Sequence, residues 1–192
     1  MSKVKNNLRT AAVCVAIAFV CLFGYLMLQN MCAEIFIRWG LETRSTDSDL
    51  FADGFWLTFL VGAVMVPLIE ELIFRLACCK VLQALKMPIW AVIGISAVLF
   101  MVYHWSWSQT VYQLLMGIWF AWIFVKTRQI GWTVLIHFIN NAFILTYTYL
   151  ADTGNDIFHL NAGNVILSVG LAIVTTVAVI FLIQKGIPKY EK

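Results

Sequence analysis

From Met87 to Val125 the chain runs for 39 residues without an Asp, Glu, Lys or Arg. A bilayer core about 30 Å thick takes roughly 20 residues of helix. One crossing cannot absorb this run, so it must be two. In hydrocarbon the backbone polar groups find partners only inside a helix or a closed barrel. The break falls at Trp105-Ser106-Trp107-Ser108-Gln109, a polar-aromatic patch suited to an interface or a cavity rim. Pro88 opens the first of the two helices, where a missing N–H costs least.

The rest of the chain follows the same pattern. It has 192 residues, 62% hydrophobic and 12% charged, with mean hydropathy +0.87. The expected fold is an all-α, polytopic membrane bundle of about six helices in a single domain over 1–192. The first span is about Thr10–Leu28. A polar connection over Asn30–Asp53 follows, with five acids and two arginines, and its Met31–Trp39 part is expected to lie along the interface. The second span runs from near Phe55 toward Leu85, about 45 Å of helix, so it must protrude, tilt or bend. The third ends near His104, the fourth is about Val111–Val125, the fifth Ile130–Leu150 and the sixth Val165–Ile183.

Basic residues set the orientation. With the N-terminus inside, the inner segments hold eleven, among them Lys3, Lys5, Arg9, Lys80, Lys86, Lys126, Arg128 and Lys185; the outer ones hold only Arg38 and Arg44. The positive-inside rule then puts both termini in the cytoplasm. The first span resembles a signal peptide but is long enough to cross and lacks a small-residue cleavage site, so it reads as a retained helix. Cys14, Cys21, Cys32, Cys78 and Cys79 are odd in number and form no CxxC, so they read as packing residues. A net charge of +3, spread over several turns, suggests no nucleic-acid partner. His159, beside Asp156, reads as a solvated loop residue.

Two adjacent acids interrupt the second span. No charge appears from Gly54 to Ile69, and then Glu70, Glu71 and Arg75 arrive together. An ionisable residue at the centre of a membrane helix costs about 2.5–3.5 kcal/mol on insertion scales, which makes it a functional-site hypothesis by default. Glu71 and Arg75 lie four apart, acid first, the better order for an ion pair. Glu70 lies about 100° further round and so faces elsewhere. Pro67 leaves the Ala63 carbonyl without its usual donor and is expected to kink the helix just before the acids. The structural alternative is an ion pair that only locks two helices together.

The other intramembrane polar residues are few. Phe100 and His104 are four apart at the end of the third span, so the ring can pack on the imidazole. His137 and Asn141 share a face of the fifth span, and Asn140 points about 100° away. A hairpin turning near Met87 brings Glu70 opposite His104. His137 reaches their depth if the Glu70 helix protrudes on the cytoplasmic side.

The set Glu70-Glu71-x-x-x-Arg75, Phe100-x-x-x-His104 and His137-x-x-x-Asn141 resembles the three motifs of the CAAX prenyl protease and bacteriocin-processing (CPBP) family of intramembrane proteases. Lys126-Thr127-Arg128-Gln129-Ile130-Gly131-Trp132 resembles that family's lead-in to its third motif. The likeness covers a motif core at 67–143. It implies hydrolysis of a peptide bond in a membrane-associated peptide or a lipidated protein, such as a bacteriocin precursor or signalling peptide, by an integral protein of a bacterial cell membrane. Glu70 and His104 would activate water, His137 and Asn141 would stabilise the oxyanion, and Glu71 with Arg75 would hold Glu70 in place.

Two schemes stay open at this stage. One needs no metal. The other puts Glu70, His104 and His137 on a catalytic Zn2+, a His₂Glu set. Asn141, a poor zinc ligand and a good donor, favours the first. HExxH and GxSxG signatures are missing, and no aspartate pair sits within the spans. A non-cleaving bacteriocin-immunity or peptide-binding protein is the alternative function. A small transporter is a third, which no inverted repeat supports.

Overall fold

A computed structural model describes residues 2–41, 50–153 and 165–188. Asp156 and His159, part of the outer connection and the basic tail beyond residue 188 lie outside them. The described residues hold six helical stretches and no strand. These are α1 (Ser2–Arg38), α2 (Phe55–Ala84), α3 (Ile89–Tyr103), α4 (Thr110–Thr127), α5 (Ile130–Asp152) and α6 (Val165–Gly186). Five are long and apolar enough to cross a membrane, and α3 is a shorter apolar helix.

The first span is longer than its hydropathy predicts. Helix α1 continues for 37 residues, through the stretch expected along the interface. Its inward stripe explains this: Cys14, Ile17, Cys21, Tyr25, Leu28 and Cys32 are all buried and recur every three or four residues, with Phe36 packed on the same core. The helix has no reason to stop while its stripe still has a partner. The cysteines serve this packing, and all five are free thiols.

Small residues let the helices approach closely, as membrane packing favours. A Cβ on Gly24 of α1 would collide with Thr175 Oγ1 of α6. One on Gly117 of α4 would lie 2.9 Å from the Ala97 Cα of α3. Outward faces are apolar: Leu57, Leu60, Leu68, Ile69, Leu72 and Ile73 of α2 and Ile166, Ile173 and Val177 of α6 are exposed, as a lipid-facing surface requires.

Basic side chains tie one end of the bundle together. Arg9 Nη2 donates to the Lys185 carbonyl at 2.5 Å. Lys126 Nζ reaches the Ile183 and Gln184 carbonyls, and Arg128 bonds Gln83. The start of α1 and the ends of α2, α4 and α6 therefore share a side. The opposite side is aromatic, with Phe36 against Trp107 and Phe55 against Tyr149.

Helix α2 is not uniformly α-helical. Leu60–Met65 and Leu72–Cys78 are wound in the wider π register, on either side of the α-turn Val66–Glu71. Pro67 explains the first. In the π register the Val66 N–H bonds Val61 O, five residues back. The next bond in that register would run from residue 67 to Gly62 O, and proline has no N–H to make it. In this register the carbonyl that Pro67 leaves without a donor is Gly62 O, one residue before the Ala63 O of an α-helical ladder. Asn141 Nδ2 of α5 fills the vacancy at 2.9 Å.

Candidate active site

The buried stripe of α2 carries the charges. Pro67, Glu70, Glu71, Phe74 and Arg75 face inward while Leu68, Ile69, Leu72 and Ile73 face out. The α2–α3 hairpin fixes the register of this stripe. Its turn is closed by Met87 N–H to Leu82 O at 3.1 Å, with Lys86 in the left-handed region (φ 58°). Ser96 Oγ of α3 donates to Phe74 O at 2.9 Å, and the Phe74 ring meets Phe100 and Tyr103, each at 5.5 Å between centroids.

Arg75 lies at the bottom of the cluster with no exposed surface. Its guanidinium carbon sits 4.2 Å from the Phe100 ring centre, 5.1 Å from that of Phe120 and 5.9 Å from that of Phe74. Rings give a desolvated guanidinium a partner that carries no charge. Arg75 Nε is 3.3 Å from Glu71 Oε2. That is close enough for charge attraction, but neither atom has a well-aligned hydrogen bond there. Arg75 Nη2 points at the Gly117 carbonyl at 3.5 Å.

Glu71 uses its other oxygen on α5. His137 Nδ1 donates to Glu71 Oε1 at 3.0 Å. The second ring nitrogen, Nε2, is 3.5 Å from Glu70 Oε2. The two acids therefore flank a single imidazole instead of facing apart as the 100° spacing alone predicts. With Nδ1–H spent on Glu71, the contact between Nε2 and Glu70 is favourable only when one proton lies between them. Glu70, Glu71, Arg75 and His137 are all at most 5% exposed.

His104 approaches from α3. Its ring stacks edge-on to Phe100 at 4.7 Å, as the four-residue spacing predicts. Its Nδ1 is 2.9 Å from the Phe100 carbonyl. A carbonyl only accepts, so Nδ1 carries the proton and Nε2 is left as an acceptor. His104 and His137 both line a cavity of about 300 Å³, together with Asn140, Asn141, Gly62 and Val66. The carboxylate of Glu70 contacts His137 and not, among the described contacts, His104.

Sequence reasoning missed part of this cavity. The 100° step turns Asn140 away from Asn141, yet its side chain is buried and lines the wall. Position 140 is three residues after His137, and i, i+3 neighbours share a helix face as i, i+4 neighbours do. Gln29, Gln109, Tyr112 and Gln113 also line it. Gln29 comes from α1, far from the motifs, and no spacing singles it out.

The zinc scheme needs Glu70, His104 and His137 on one ion. Among the described residues no three His, Cys, Asp or Glu side chains converge in that way. His137 Nδ1 is taken by Glu71, and Nε2 lies 3.5 Å from Glu70 Oε2, so these two could share an ion, but His104 does not join them as the third ligand of a His₂Glu set.

Residues 52–143 match the family model described as Rce1-like, type II CAAX prenyl endopeptidase Rce1-like. The chain carries an Rce1-like domain. That domain is consistent with the CPBP family and supports an intramembrane endopeptidase in general terms. It begins just before α2, contains all three motifs and ends within α5. Helices α1 and α6 lie outside the Rce1-like segment, yet α1 supplies Gln29 to the cavity. No curated protein and no solved structure matches the chain.

Proposed function

We propose that this protein is an intramembrane endopeptidase that hydrolyses a peptide bond in a membrane-associated peptide or lipidated protein without a metal. The observation that carries the reading is the meeting of Glu70 with His137 beside a cavity that His104 also lines. Glu70 is the general base and His104 Nε2, an acceptor, holds the attacking water. As water oxygen bonds the scissile carbonyl carbon, its proton passes to Glu70 and the carbonyl electrons move to oxygen. The oxyanion is met by His137 Nε2–H and by the Asn141 Nδ2 hydrogen not used on Gly62. Collapse breaks the C–N bond, and Glu70 returns its proton to the leaving amine.

Glu71 and Arg75 are positioning residues in this scheme. Glu71 holds the Nδ1–H and the plane of the His137 ring, and Arg75 supplies the counter-charge beside Glu71 in a dry environment. The protein would sit in a bacterial cell membrane with both termini cytoplasmic. The test is to incubate the purified protein in detergent with a library of membrane peptides and identify new termini by mass spectrometry. New termini from the wild type, absent with Glu70→Gln, are expected. Binding of peptides with no new termini would replace this reading with that of a peptide-binding or immunity protein.

A further inference from the structure

Of the groups assigned to the chemistry, His104, His137 and Asn141 line the cavity. The wall made by α1, α4 and α5 carries a different set, which the proposed hydrolysis does not use. Three buried polar atoms here lack a partner: Gln29 Oε1, Tyr112 OH and Asn140 Oδ1. All three residues line the cavity. Tyr112 is 6% exposed and Asn140 2%. The orientation of Asn140 is fixed, because its Nδ2 donates to the Ile136 carbonyl at 3.1 Å and so leaves Oδ1 as the free atom.

Leaving a buried donor or acceptor unsatisfied is costly, so three such atoms around one cavity call for an explanation. Their chemistry names the ligand. Gln29 Oε1 and Asn140 Oδ1 are acceptors, and Tyr112 OH can serve as one. Val66, Met116, Ile144 and Leu145 add apolar lining beside these atoms. Among the described residues neither Lys nor Arg lines the cavity. Donors flanked by apolar side chains, with no charge, describe the main-chain N–H groups of an extended apolar peptide.

We propose that Gln29, Tyr112 and Asn140 form a main-chain binding wall that holds an internal, uncharged stretch of substrate in extended form next to His104 and His137. The proposal rests on the endopeptidase reading and adds α1, which lies outside the Rce1-like segment, to the site. These residues are positioning residues. They act on binding of the peptide and not on the proton transfers.

The test uses the full-length protein in detergent and a library of fluorescent, eight-residue apolar peptides capped at both ends. Binding is read by anisotropy on the Glu70→Gln protein, and cleavage is read separately on the wild type. Added to Glu70→Gln, Gln29→Leu and Tyr112→Phe should each weaken the tightest peptide about three- to tenfold, one hydrogen bond's worth. N-methylation of one main-chain nitrogen should cause a similar loss, and Gln29→Leu or Tyr112→Phe should then add nothing for that peptide. In the cleaving enzyme the two variants should raise KM and leave kcat within about twofold, as loss of uniform binding does. Equal affinity for both variants, or losses that N-methylation does not cancel, would overturn the wall. So would the failure of every capped peptide to bind. Binding with this pattern but no cleavage would keep the wall and sink the endopeptidase reading. Cleavage with unchanged KM in both variants would do the reverse.

Discussion

His137 Nδ1 donates to Glu71 Oε1 at 3.0 Å, across 66 residues of sequence. This bond joins the two central helices of the site and turns the His137 ring so that its other nitrogen meets Glu70. Behind it, Arg75 neutralises Glu71 from within a cage of three rings.

Removing the cation should therefore cost stability before it costs chemistry. Arg75→Ala leaves Glu71 charged and uncompensated in a site with no exposed surface. Breaking a buried pair from one side costs about 3–5 kcal/mol. Unfolding in detergent, followed by circular dichroism, should show a loss of that size. A variant as stable as the wild type would mean that Glu71 takes no charge from Arg75.

Asn141 has a second role that a pure oxyanion donor would lack. Its bond to Gly62 O replaces the one Pro67 cannot make. Asn141→Ala should lower turnover by about 10²–10³ and also destabilise the protein by about 1–3 kcal/mol. Pro67→Ala restores an N–H within reach of that carbonyl, so Asn141→Ala should be less destabilising in its presence. A double-mutant cycle measures the coupling, expected at about 0.5–3 kcal/mol. Strict additivity would show that the vacancy at Gly62 is filled in some other way.

The contact of α4 with α3 leaves no room at Gly117. Its Cβ would meet Ala97 backbone at 2.9 Å, and its carbonyl faces Arg75. Gly117→Ala should cost about 1–3 kcal/mol by overpacking and should lower activity through a displaced Arg75. Thermal melts and peptide turnover check this together. A fully stable, fully active variant would contradict the close approach.

Much of the helix count was legible because charge-free runs and basic turns are strong signals in lipid. All three motifs were legible because four-residue spacing on a helix is a geometric statement. What sequence spacing could not give was the π winding of α2. That winding leaves Gly62 O without a donor from Pro67, and Asn141 fills its place. Nor could it give the continuation of α1 beyond Leu28, which depends on a partner for its buried stripe. The polar wall was hidden for a related reason: Gln29, Tyr112 and Asn140 come from three helices, and only packing brings them to one surface.

Everything proposed for the chemistry turns on Glu70 as the base. Glu70→Gln keeps the size and polarity of the side chain and removes its basicity. The decisive measurement is cleavage of one membrane peptide by wild type and Glu70→Gln, each shown folded by an unchanged melt, with and without a strong chelator. The proposed mechanism predicts loss of cleavage by at least about 10²-fold in the variant, the low end of general-base contributions, and no effect of the chelator on the wild type. A Glu70→Gln protein that cleaves at the wild-type rate, or a wild type silenced by the chelator and restored by zinc, would contradict it.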